Sequence, residues 1–540
     1  MMRPGLVWRT IRHLTGRQLV YQLLNRLRPR PRLQLPQVVP DTRFLTIAPP
    51  DKPHSWEAST FTFLNEPVPM PVVDWNYAGH GKLWTYNLNY FDFLNQPRMS
   101  LKEGLGLIGQ FMARSDTLRD GLEPYPTSLR LINWIQFLSR HQHRDDAINR
   151  HLYAQAQLLS RRLEYHLAGN HLLENGFALL TAALYFRQDY WLGRAVALVR
   201  TELNRQILDD GGHDERSPMY HQLLLDRLLD VVLALKHETW PDATSHLPFL
   251  GKQASLMMAW LEGVTFRNGD VPMVNDAVWG VAPTTSQLRD KARGILMSLT
   301  DETLRGQRRR YERGALLHGV TTTGYQMIRR PRYELLADVG AVGPDHQPGH
   351  AHADTFSFVL YVDNQPVLVD SGTSTYQAGL RRMWERGTAA HNTVDVMDIH
   401  SSEVWAGFRV GRRARVAVTA STSSTLAATH DGYRRLGVTH ARTWETGSTQ
   451  IRVTDQLTTR QGGDKTGVAR LHFHSSLPVT IVGNCIRAGS VVIECTSPVT
   501  TPVLYLTTYE LAEGFNRRRT APCVAITFAR TLETCITLTV

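Results

Sequence analysis

Two histidines stand two positions apart in the stretch GHAHADTFSFVLYVDNQPVLVDSGTSTY, residues 349–376. On an extended strand, residues i and i+2 point to the same face, so His350 and His352 are predicted to act at one site at the start of a β-hairpin. Asp370 and His391 follow further along the chain, and a hairpin brings residues so separated face to face. Two imidazoles with a carboxylate, or three imidazoles, are suitable zinc ligands. The alternative for each histidine is an ordinary hydrogen-bonded place on a sheet face.

A second group of polar residues lies at the start of a helical pattern, in the stretch GNHLLENG at residues 169–176. Asn170, His171 and Glu174 cluster there, ahead of a plain apolar run. One interpretation makes Asn170 the N-cap and Glu174 an acidic complement to the first helical turn. The other interpretation is a functional cluster.

A third group follows a glycine loop in the stretch DDGGHDERSPMYHQLLLD, residues 209–226. Ser217 and Pro218 are predicted to be the N-cap and first residue of a helix. Tyr220 and His221 then fall in its first turn. Titratable groups crowded at a helix start beside a glycine loop are typical of a cleft wall.

The elements that must position these groups change type once along the chain. From about Leu101 to Thr300, apolar residues recur at i, i+3, i+4 and i+7, which predicts roughly eight to ten helices packed on one another. Past about Val320 the period becomes two, in short Thr- and Val-rich runs that predict an antiparallel sandwich. We therefore predict an α + β multidomain chain. Its parts are a basic N-terminal helix with a Pro-rich linker at 1–50, a helical domain at 51–315 and a β-sandwich at 316–540.

The composition is that of a globular protein with an excess of positive charge. The 540 residues carry a net charge of +11, which favours a polyanionic partner such as acidic polysaccharide, anionic lipid or nucleic acid. No nucleic-acid-binding signature accompanies the charge, so a nucleic acid is not predicted. The four cysteines, all after residue 484, match no zinc motif and are predicted to be buried thiols, with one or two disulfides as the alternative.

The N-terminal stretch, residues 1–33, contains eight arginines and no acidic residue. Its leucines are loosely spaced as in a basic amphipathic helix, which either docks on the main domain or contacts an anionic membrane surface. The stretch contains no signal-peptide core and no transmembrane span is expected, so the cytoplasm is the default location and the periplasm the alternative.

Five stretches, in chain order, resemble the heparinase II/III family of polysaccharide lyases: GNHLLENG, DGGHDERSPMYH, NGDVPMVND, residues 349–376 and GTAAHNTV. Upstream, WTYNLNYFDFLNQP and PYPTSLRLINWIQFL resemble the alginate-lyase-like branch of that family associated with bacterial polysaccharide synthesis. The resemblance extends over roughly residues 80–530. It implies an (α/α) toroid followed by an antiparallel β-sandwich, and β-elimination on a uronic-acid polysaccharide, often with a structural zinc in the sandwich.

The resemblance also implies catalytic roles. Asn170 and His171 match a pair that contacts the uronate carboxylate, and Tyr220 and His350 match the catalytic tyrosine and histidine. Neutralising the carboxylate makes the C5 proton removable by His350 or Tyr220, while Tyr220 or a neighbour protonates the leaving oxygen. Because an unperturbed tyrosine has a pKa of about 10, cationic groups in the cleft are expected to lower that of Tyr220.

Further positions follow from the same resemblance. The implied zinc ligands are His352, Asp370 and His391. Glu174 matches an acidic position of some members, and Tyr376 lies near the position at which some members have a further tyrosine. Tyr125 and Arg130, in the stretch PYPTSLR, are candidates for substrate-binding subsites.

Two other functions remain open at this stage. A non-catalytic protein that holds acidic polysaccharide during exopolysaccharide assembly would keep the basic cleft and the fold. A glycoside hydrolase on the same toroid would need two carboxylates across a cleft, and Asp270 with Glu174 or Asp276 are the candidates. Asp270 and Asp276 lie in the loop NGDVPMVNDA, which either binds sugar or caps helices.

Overall fold

The structure, a computed structural model, describes residues 4–49, 51–296, 321–459 and 465–539. The predicted boundary at residue 315 lies outside the described residues. On either side of it the architecture is the expected one, with helices before it and antiparallel sheets after it. Among the described residues, no helix is both long enough and apolar enough to cross a membrane.

The N-terminal segment forms two helices, α1 (Pro4–Ile11) and α2 (Gly16–Leu27), which dock on the rest of the protein. A capping box starts α2: the Thr15 side chain accepts from the backbone of Gln18, and the Gln18 side chain accepts from the backbone of Thr15. After an extended segment comes a small antiparallel sheet that the sequence did not predict. Its strands are β1 (Trp56–Glu57), β2 (Thr60–Phe63) and β3 (Glu66–Pro69).

The helical domain is built from helices that pack around one large apolar core. They are α3 (Lys82–Tyr90), α4 (Leu101–Met112), α5 (Pro124–His141), α6 (Asp146–Arg161), α7 (Gly169–Phe186), α8 (Asp189–Gln206), α9 (Pro218–Lys236), α10 (Pro241–Thr244), α11 (Leu247–Val264) and α12 (Thr285–Leu296). Helix α7 is apolar on nearly every side because neighbouring helices surround it. Phe177, Leu180 and Leu184 are at most 1% exposed, and truncating any of them to alanine would cost about 2–5 kcal/mol.

The β half consists of antiparallel sheets around a second core. One sheet has eight strands in the order β11 (Val416–Ser421), β12 (Thr425–His430), β13 (Val438–Thr446), β14 (Gln450–Thr459), β21 (Thr531–Leu538), β18 (Val491–Thr496), β17 (Cys485–Ala488) and β16 (Val479–Val482). Two four-stranded sheets contribute to the same core. The first is β4 (Tyr325–Arg329), β5 (Tyr333–Asp338), β6 (Phe358–Val362) and β7 (Gln365–Leu368), and the second is β19 (Val503–Gly514), β20 (Arg517–Ala529), β15 (Thr466–His472) and β8 (Val394–Val396).

Smaller elements complete the sandwich. A two-stranded ribbon joins β9 (Val404–Trp405) and β10 (Arg409–Val410), and a short helix α13 covers Leu380–Glu385. All four cysteines are free thiols: Cys495 and Cys523 are buried, as predicted, whereas Cys485 and Cys535 are partly exposed.

Polar contacts fasten the two domains together where their loops meet. Asp210, in the loop between α8 and α9, accepts hydrogen bonds from the backbone nitrogen (2.8 Å) and hydroxyl (2.7 Å) of Thr323. The hydroxyl of Tyr325 donates to the backbone oxygen of Arg216 over 2.8 Å. The loops where the two domains meet are therefore held by hydrogen bonds from both domains.

Candidate active site

A cleft of about 1780 Å³ runs between the helical domain, the sandwich and the two N-terminal helices. Each part supplies a section of its wall: Gln22 and Arg26 from α2, Tyr125 and His171 from the helical domain, and His350 from the sandwich. A cleft of this size accommodates several sugar rings rather than one small molecule.

His350 is held by a carboxylate behind the cleft wall. Its Nδ1 lies 2.8 Å from Oδ2 of Asp276, and Arg382 binds both oxygens of that carboxylate, with 2.6 Å between Nη2 and Oδ2. Burial alone would raise the pKa of Asp276, but Arg382 and the two histidines hold it well below its usual value. A carboxylate that takes Nδ1–H fixes the tautomer of the imidazole. The lone pair of His350 is therefore on Nε2, and burial lowers the pKa of the ring despite Asp276, so the neutral form is favoured.

His352 binds the other side of the same carboxylate, with 2.9 Å between its Nε2 and Oδ1 of Asp276. The two histidines therefore meet at one site, as predicted, but for a different reason. Residues 349–357 form a loop ahead of β6 rather than a strand, and Asp276, not a pleated face, brings the two rings together.

Glu215 is a further acid of the site that the sequence did not single out. Its carboxyl accepts from the backbone nitrogen of Asn170 (2.8 Å), and its Oε2 lies 3.4 Å from Nε2 of His350. Gly169 has a φ of +55°, and a Cβ there would lie 2.2 Å from Oε1 of Glu215, so glycine is required for this approach. Burial, and then the charge of Asp214, raise the pKa of Glu215 to about 8.

Tyr220 faces His350 across the cleft wall, with ring centroids 4.0 Å apart. Its hydroxyl donates to that of Tyr376 over 3.2 Å, so these two tyrosines and the histidine form one group. Ser217 and Pro218 start α9 as predicted, with the Ser217 hydroxyl accepting from the backbone of Tyr220. Burial, and then Tyr376, raise the pKa of Tyr220 well above its usual value, so the expected lowering by cationic neighbours is wrong.

The neighbour of Tyr220 in the sequence does not belong to the cleft. His221 is fully buried, its Nε2 lies 2.9 Å from the backbone oxygen of Met257, and its ring packs on Trp260. Adjacent positions on a helix point about 100° apart, so one residue reaches the cleft while the next enters the core.

Asn170 is buried in the cleft wall beside His350, whereas His171 lines the open cleft. Asn170 is in the first turn of α7, not at its N-cap, and its Nδ2 lies 3.4 Å from Nε2 of His350. His171 reaches the open cleft, where its ring stacks on Tyr125 at 4.2 Å, and its Nδ1 lies 3.2 Å from Oε1 of Glu164. Tyr125 and His171 therefore form one surface of the cleft.

Arg130 does not reach the cleft, which corrects its prediction as a substrate-binding residue. The side chain is fully buried, and its guanidinium donates to Gln155 (2.7 Å) and to the backbone oxygens of Asn89 (3.0 Å) and Gly121 (2.8 Å). Because α5 is enclosed by neighbouring helices, the polar side chain is used for packing rather than binding. Three exposed arginines line the cleft instead, and they come from separate parts of the chain: Arg26, Arg409 and Arg517.

The predicted metal ligands lie near one another behind the cleft. The rings of His352 and His391 are 5.3 Å apart, and Nδ1 of His391 lies 2.7 Å from Oδ2 of Asp370. His352 Nδ1 and His391 Nε2 are buried and have no hydrogen-bond partner. A histidine whose one nitrogen bonds a carboxylate while the other is free is typical of a metal ligand, so the residue types fit zinc.

The three groups are not drawn together as closely as a bound ion would require. Across the residues that the structure describes, the group of potential ligand atoms within 4.8 Å of one another is His213, Asp214 and Glu215. That group is already engaged, since Nε2 of His213 lies 2.9 Å from Oε1 of Gln206 and Glu215 holds Asn170. We therefore assign no metal to these three consecutive residues.

The carboxylates considered for hydrolysis are also engaged. Asp276 is enclosed by Arg382 and the two histidines, and Glu174 lies 3.4 Å from Arg227. Asp270 accepts from Tyr361 over 3.1 Å. Both candidate pairs also need Asp270, which is not among the residues that line the cleft, so neither places two carboxylates across a bound sugar.

Comparisons with known proteins agree with this architecture. The family model described as Heparinase II/III N-terminus matches residues 129–295, and the one described as Heparinase II/III-like, C-terminal matches residues 312–503. Together they cover more than half of the chain. A comparison with curated proteins found no match.

Solved structures of polysaccharide lyases share the fold at low sequence identity. Heparinase III is 15% identical with a TM-score of 0.66, over 99% of this chain and 92% of that one. A heparan sulfate lyase HepC mutant from Pedobacter heparinus is 14% identical with a TM-score of 0.59, over 89% and 81%. Chondroitin AC lyase from Streptomyces coelicolor A3, in complex with chondroitin sulphate, is 10% identical with a TM-score of 0.51, over 84% and 74%.

The fold and the family matches together define a polysaccharide lyase with a helical toroid and a β-sandwich. The chain belongs to the heparinase II/III family.

Proposed function

We propose that this lyase cleaves a uronic-acid polysaccharide by β-elimination, with His350 as the base and Tyr220 as the acid. The observation that carries the assignment is the environment of the histidine. Its Nδ1 is held by Asp276 while its Nε2 faces Asn170 and Glu215 at 3.4 Å, beside the ring of Tyr220.

His350 suits the role of base because it is neutral and oriented. Burial lowers its pKa, and the carboxylate of Asp276 keeps the lone pair on Nε2. In the elimination, Nε2 takes the C5 proton, the C–H electrons form the C4–C5 double bond, and the C4–O bond breaks. The imidazolium formed is stabilised by Asp276, which is already ionised.

Tyr220 suits the role of acid because it keeps its proton. Its pKa is raised well above the usual value by burial, so it is protonated near neutral pH, and its proton can pass to an alkoxide leaving group because an alkoxide is a strong base. The hydroxyl of Tyr376, 3.2 Å away, donates to the backbone oxygen of Asp276 over 3.3 Å and holds the phenol in place.

The uronate carboxylate must be neutralised before the C5 proton can leave. Asn170 and His171 are the proposed donors to it. Glu215 assists because, with a pKa of about 8, it is largely protonated near neutral pH and adds no second negative charge beside the substrate. It also holds the backbone of Asn170.

An acidic polysaccharide is the proposed substrate class. Three exposed arginines line the cleft, Arg26, Arg409 and Arg517, and the stacked surface of Tyr125 and His171 suits a sugar face. Heparan sulfate and chondroitin sulphate appear in the names of two structurally similar lyases, and both are acidic glycosaminoglycans. Glu174, which lines the same cleft beside Arg227, is proposed to border a subsite.

A structural zinc held by His352, Asp370 and His391 is a separate proposal. It is supported by the two buried histidine nitrogens that have no partner. Bound there, the ion would tie the loop of His350 to the segment after β7 and contribute folding free energy. Purified protein is expected to contain about one zinc per chain, and His391→Ala to lose both the zinc and part of the thermal stability. Metal-free protein whose thermal stability is unchanged would contradict the zinc proposal.

The reaction itself is tested by ultraviolet absorbance, because elimination leaves an unsaturated uronate that absorbs and hydrolysis does not. A panel of heparan, chondroitin, alginate and capsular uronans is incubated with the protein, with His350→Ala as the matched control. Absorbance that rises with one of them in wild type alone supports the proposal. Reducing ends without absorbance would indicate a hydrolase, and tight binding without either product would indicate the binding protein.

A further inference from the structure

The second N-terminal helix has its apolar side turned outward. Its exposed apolar residues are Leu19 (45% exposed), Val20 (55%), Leu23 (60%), Leu24 (40%) and Leu27 (75%). At 100° per residue, these five side chains lie within a sector of about 140°. We call them the α2 stripe. An isolated surface leucine is ordinary, whereas a contiguous stripe of this kind marks a contact surface.

The polar side of the same helix faces the protein and fixes its orientation. Gln18 is 2% exposed, and its Nε2 donates to the backbone oxygens of His346 (3.0 Å) and Leu167 (3.4 Å). Nδ2 of Asn25 lies 3.0 Å from Nδ1 of His166, and the guanidinium of Arg17 lies 3.6 Å over the ring of Tyr165. Turning the α2 stripe inward would break these contacts, so the outward orientation is built in.

Positive charge surrounds the α2 stripe. No acidic residue occurs before Asp41, and five arginines of the segment are exposed: Arg12, Arg17, Arg26, Arg30 and Arg32. The sandwich adds more positive charge beside α1, where Arg9 lies 2.7 Å from Glu403. Burial lowers the pKa of Arg412, and the charges of Arg9, Arg435 and Arg434 lower it further against the opposing effect of Glu403.

We propose that the α2 stripe and its arginines bind an anionic lipid surface. Leucines on one side with arginines around them are the composition of a helix that lies in the membrane interface. The 12 residues of α2 are far fewer than the roughly 20 needed to span a bilayer, so the helix lies on the surface. A protein partner would need an acidic, concave apolar surface, whereas anionic lipid supplies both the charge and the apolar layer.

The geometry has a consequence for the cleft. Gln22 and Asn25, on the side of the helix away from the stripe, line it, as does Arg26 at the edge of the stripe. A protein bound through the α2 stripe would therefore hold its cleft close to the lipid surface, where membrane-associated polysaccharide would be within reach. The binding itself does not depend on the lyase reaction.

The test is sedimentation of the full chain with vesicles of phosphatidylcholine alone and with about 30% phosphatidylglycerol added. Wild type is expected to bind the anionic vesicles and not the neutral ones, less tightly as salt rises from about 0.1 M to about 0.5 M. Leu23→Gln with Leu27→Gln should weaken binding about tenfold or more, because two leucines no longer enter the apolar layer. The matched control is Val482→Gln with Leu506→Gln, two residues of the sandwich that are 67% and 51% exposed, and it should bind like wild type.

Each other outcome overturns the proposal. Equal binding by both double variants would show that charge alone is responsible. If wild type binds anionic vesicles no better than neutral ones, anionic lipid is not the partner. A wild-type dimer in gel filtration that Leu23→Gln with Leu27→Gln converts to a monomer would identify a second copy as the partner. Circular dichroism of all variants checks that the fold is retained.

Discussion

An arginine, an aspartate and a histidine bonded together occur in two regions of this protein. The cleft cluster is Arg382, Asp276 and His350, and the interior cluster is Arg442, Asp455 and His440. In both, the arginine binds both carboxylate oxygens, and the histidine bonds the same carboxylate, at 2.8 Å in the cleft and 2.6 Å in the interior. The residue types are the same and all are buried, but His350 lines the cleft and no residue of the interior cluster does.

The difference is in the second nitrogen of the imidazole. In the interior cluster, Nδ1 of His440 lies 3.0 Å from Nε2 of His430, whose own Nδ1 accepts from Gly432 at 3.0 Å. Every ring nitrogen there is satisfied. In the cleft cluster, Nε2 of His350 has neighbours only at 3.4 Å and faces the space where a substrate would lie. The same three residue types thus have a histidine bonded closely through both nitrogens in the interior, and a histidine with only 3.4 Å contacts at its second nitrogen in the cleft.

Replacing the histidine of each cluster should give the largest difference in activity and stability between the two clusters. His350→Ala is expected to lower kcat by about 10²–10⁴-fold with little change in melting temperature, because a general base is lost. His440→Ala should destabilise the fold by about 2–4 kcal/mol and leave kcat per folded molecule unchanged, because it leaves a cavity and unpaired polar groups. Kinetics on a cleaved uronan, with thermal unfolding of both variants, measure the two effects.

Two results would contradict that division. If His350→Ala loses zinc and unfolds early while His352→Ala stays folded, the roles of these two histidines are exchanged. If His350→Ala turns over at the wild-type rate, the elimination site lies elsewhere.

Removing the aspartates sharpens the comparison. Asp276→Asn and Asp455→Asn should each cost about 3–5 kcal/mol of stability, since each leaves a buried arginine without its carboxylate. Only Asp276→Asn should also lower kcat, by about 10²-fold or more, because the tautomer of His350 is no longer held. Urea unfolding and steady-state kinetics distinguish the two, and equal kcat in both variants would break the comparison.

Tyrosine hydroxyls near each cluster should differ in the same way. Tyr220→Phe is expected to lower kcat about 10²-fold with little change in KM, because only the proton donor is removed. Tyr433, beside the interior cluster, donates to the backbone oxygen of Val394, and Tyr433→Phe should cost only about 1 kcal/mol of stability. His350→Ala with Tyr220→Phe together should be scarcely worse than either alone, since both act in one step. Additive losses would place them in separate steps.

The smallest expected effects are in the pH dependence of stability, and they have opposite signs. Arg442, opposing burial, lowers the pKa of Asp455 from 3.8 to about 2, so its stabilisation is complete above pH 3.8 and is lost as the pH falls toward 2, by about 2 kcal/mol. Burial raises the pKa of Glu215 from 4.5 to about 8, because the folded protein favours the protonated carboxyl. Its contribution to stability is therefore present below pH 4.5 and is lost as the pH rises to 8.

Two variants isolate these groups. The stability difference between wild type and Asp455→Asn should shrink as the pH falls from about 4 to about 3. Between pH 5 and pH 7, the free energy of unfolding of wild type should fall by about 2–3 kcal/mol relative to that of Glu215→Gln. Differences that do not change with pH would contradict both assignments. Urea unfolding at each pH measures them.

The helical and β halves could be predicted because periodicity is a local property. Apolar spacing predicted helices from about Leu101 to Thr300, where α4 to α12 lie, and Ser217 with Pro218 marked the start of α9. The strands β1 to β3 were missed because segments of two to four residues carry no readable period. Arg130 was misplaced because the pattern of α5 does not indicate that other helices enclose its polar side.

By itself, the sequence determined the two kinds of domain, the family motifs and the polar groups that had to be near a cleft. The tertiary structure decided which of them share a carboxylate. Asp276 meets His350 from 74 positions away and Arg382 from 106, where a loop of the helical domain contacts a loop and the short helix α13 of the sandwich. It also set the pKa values of Tyr220 and Glu215, both raised by burial, and turned the leucines of α2 outward. Ion pairing, desolvation and exposure depend on what lies on every side of a group, and only the folded chain supplies those neighbours.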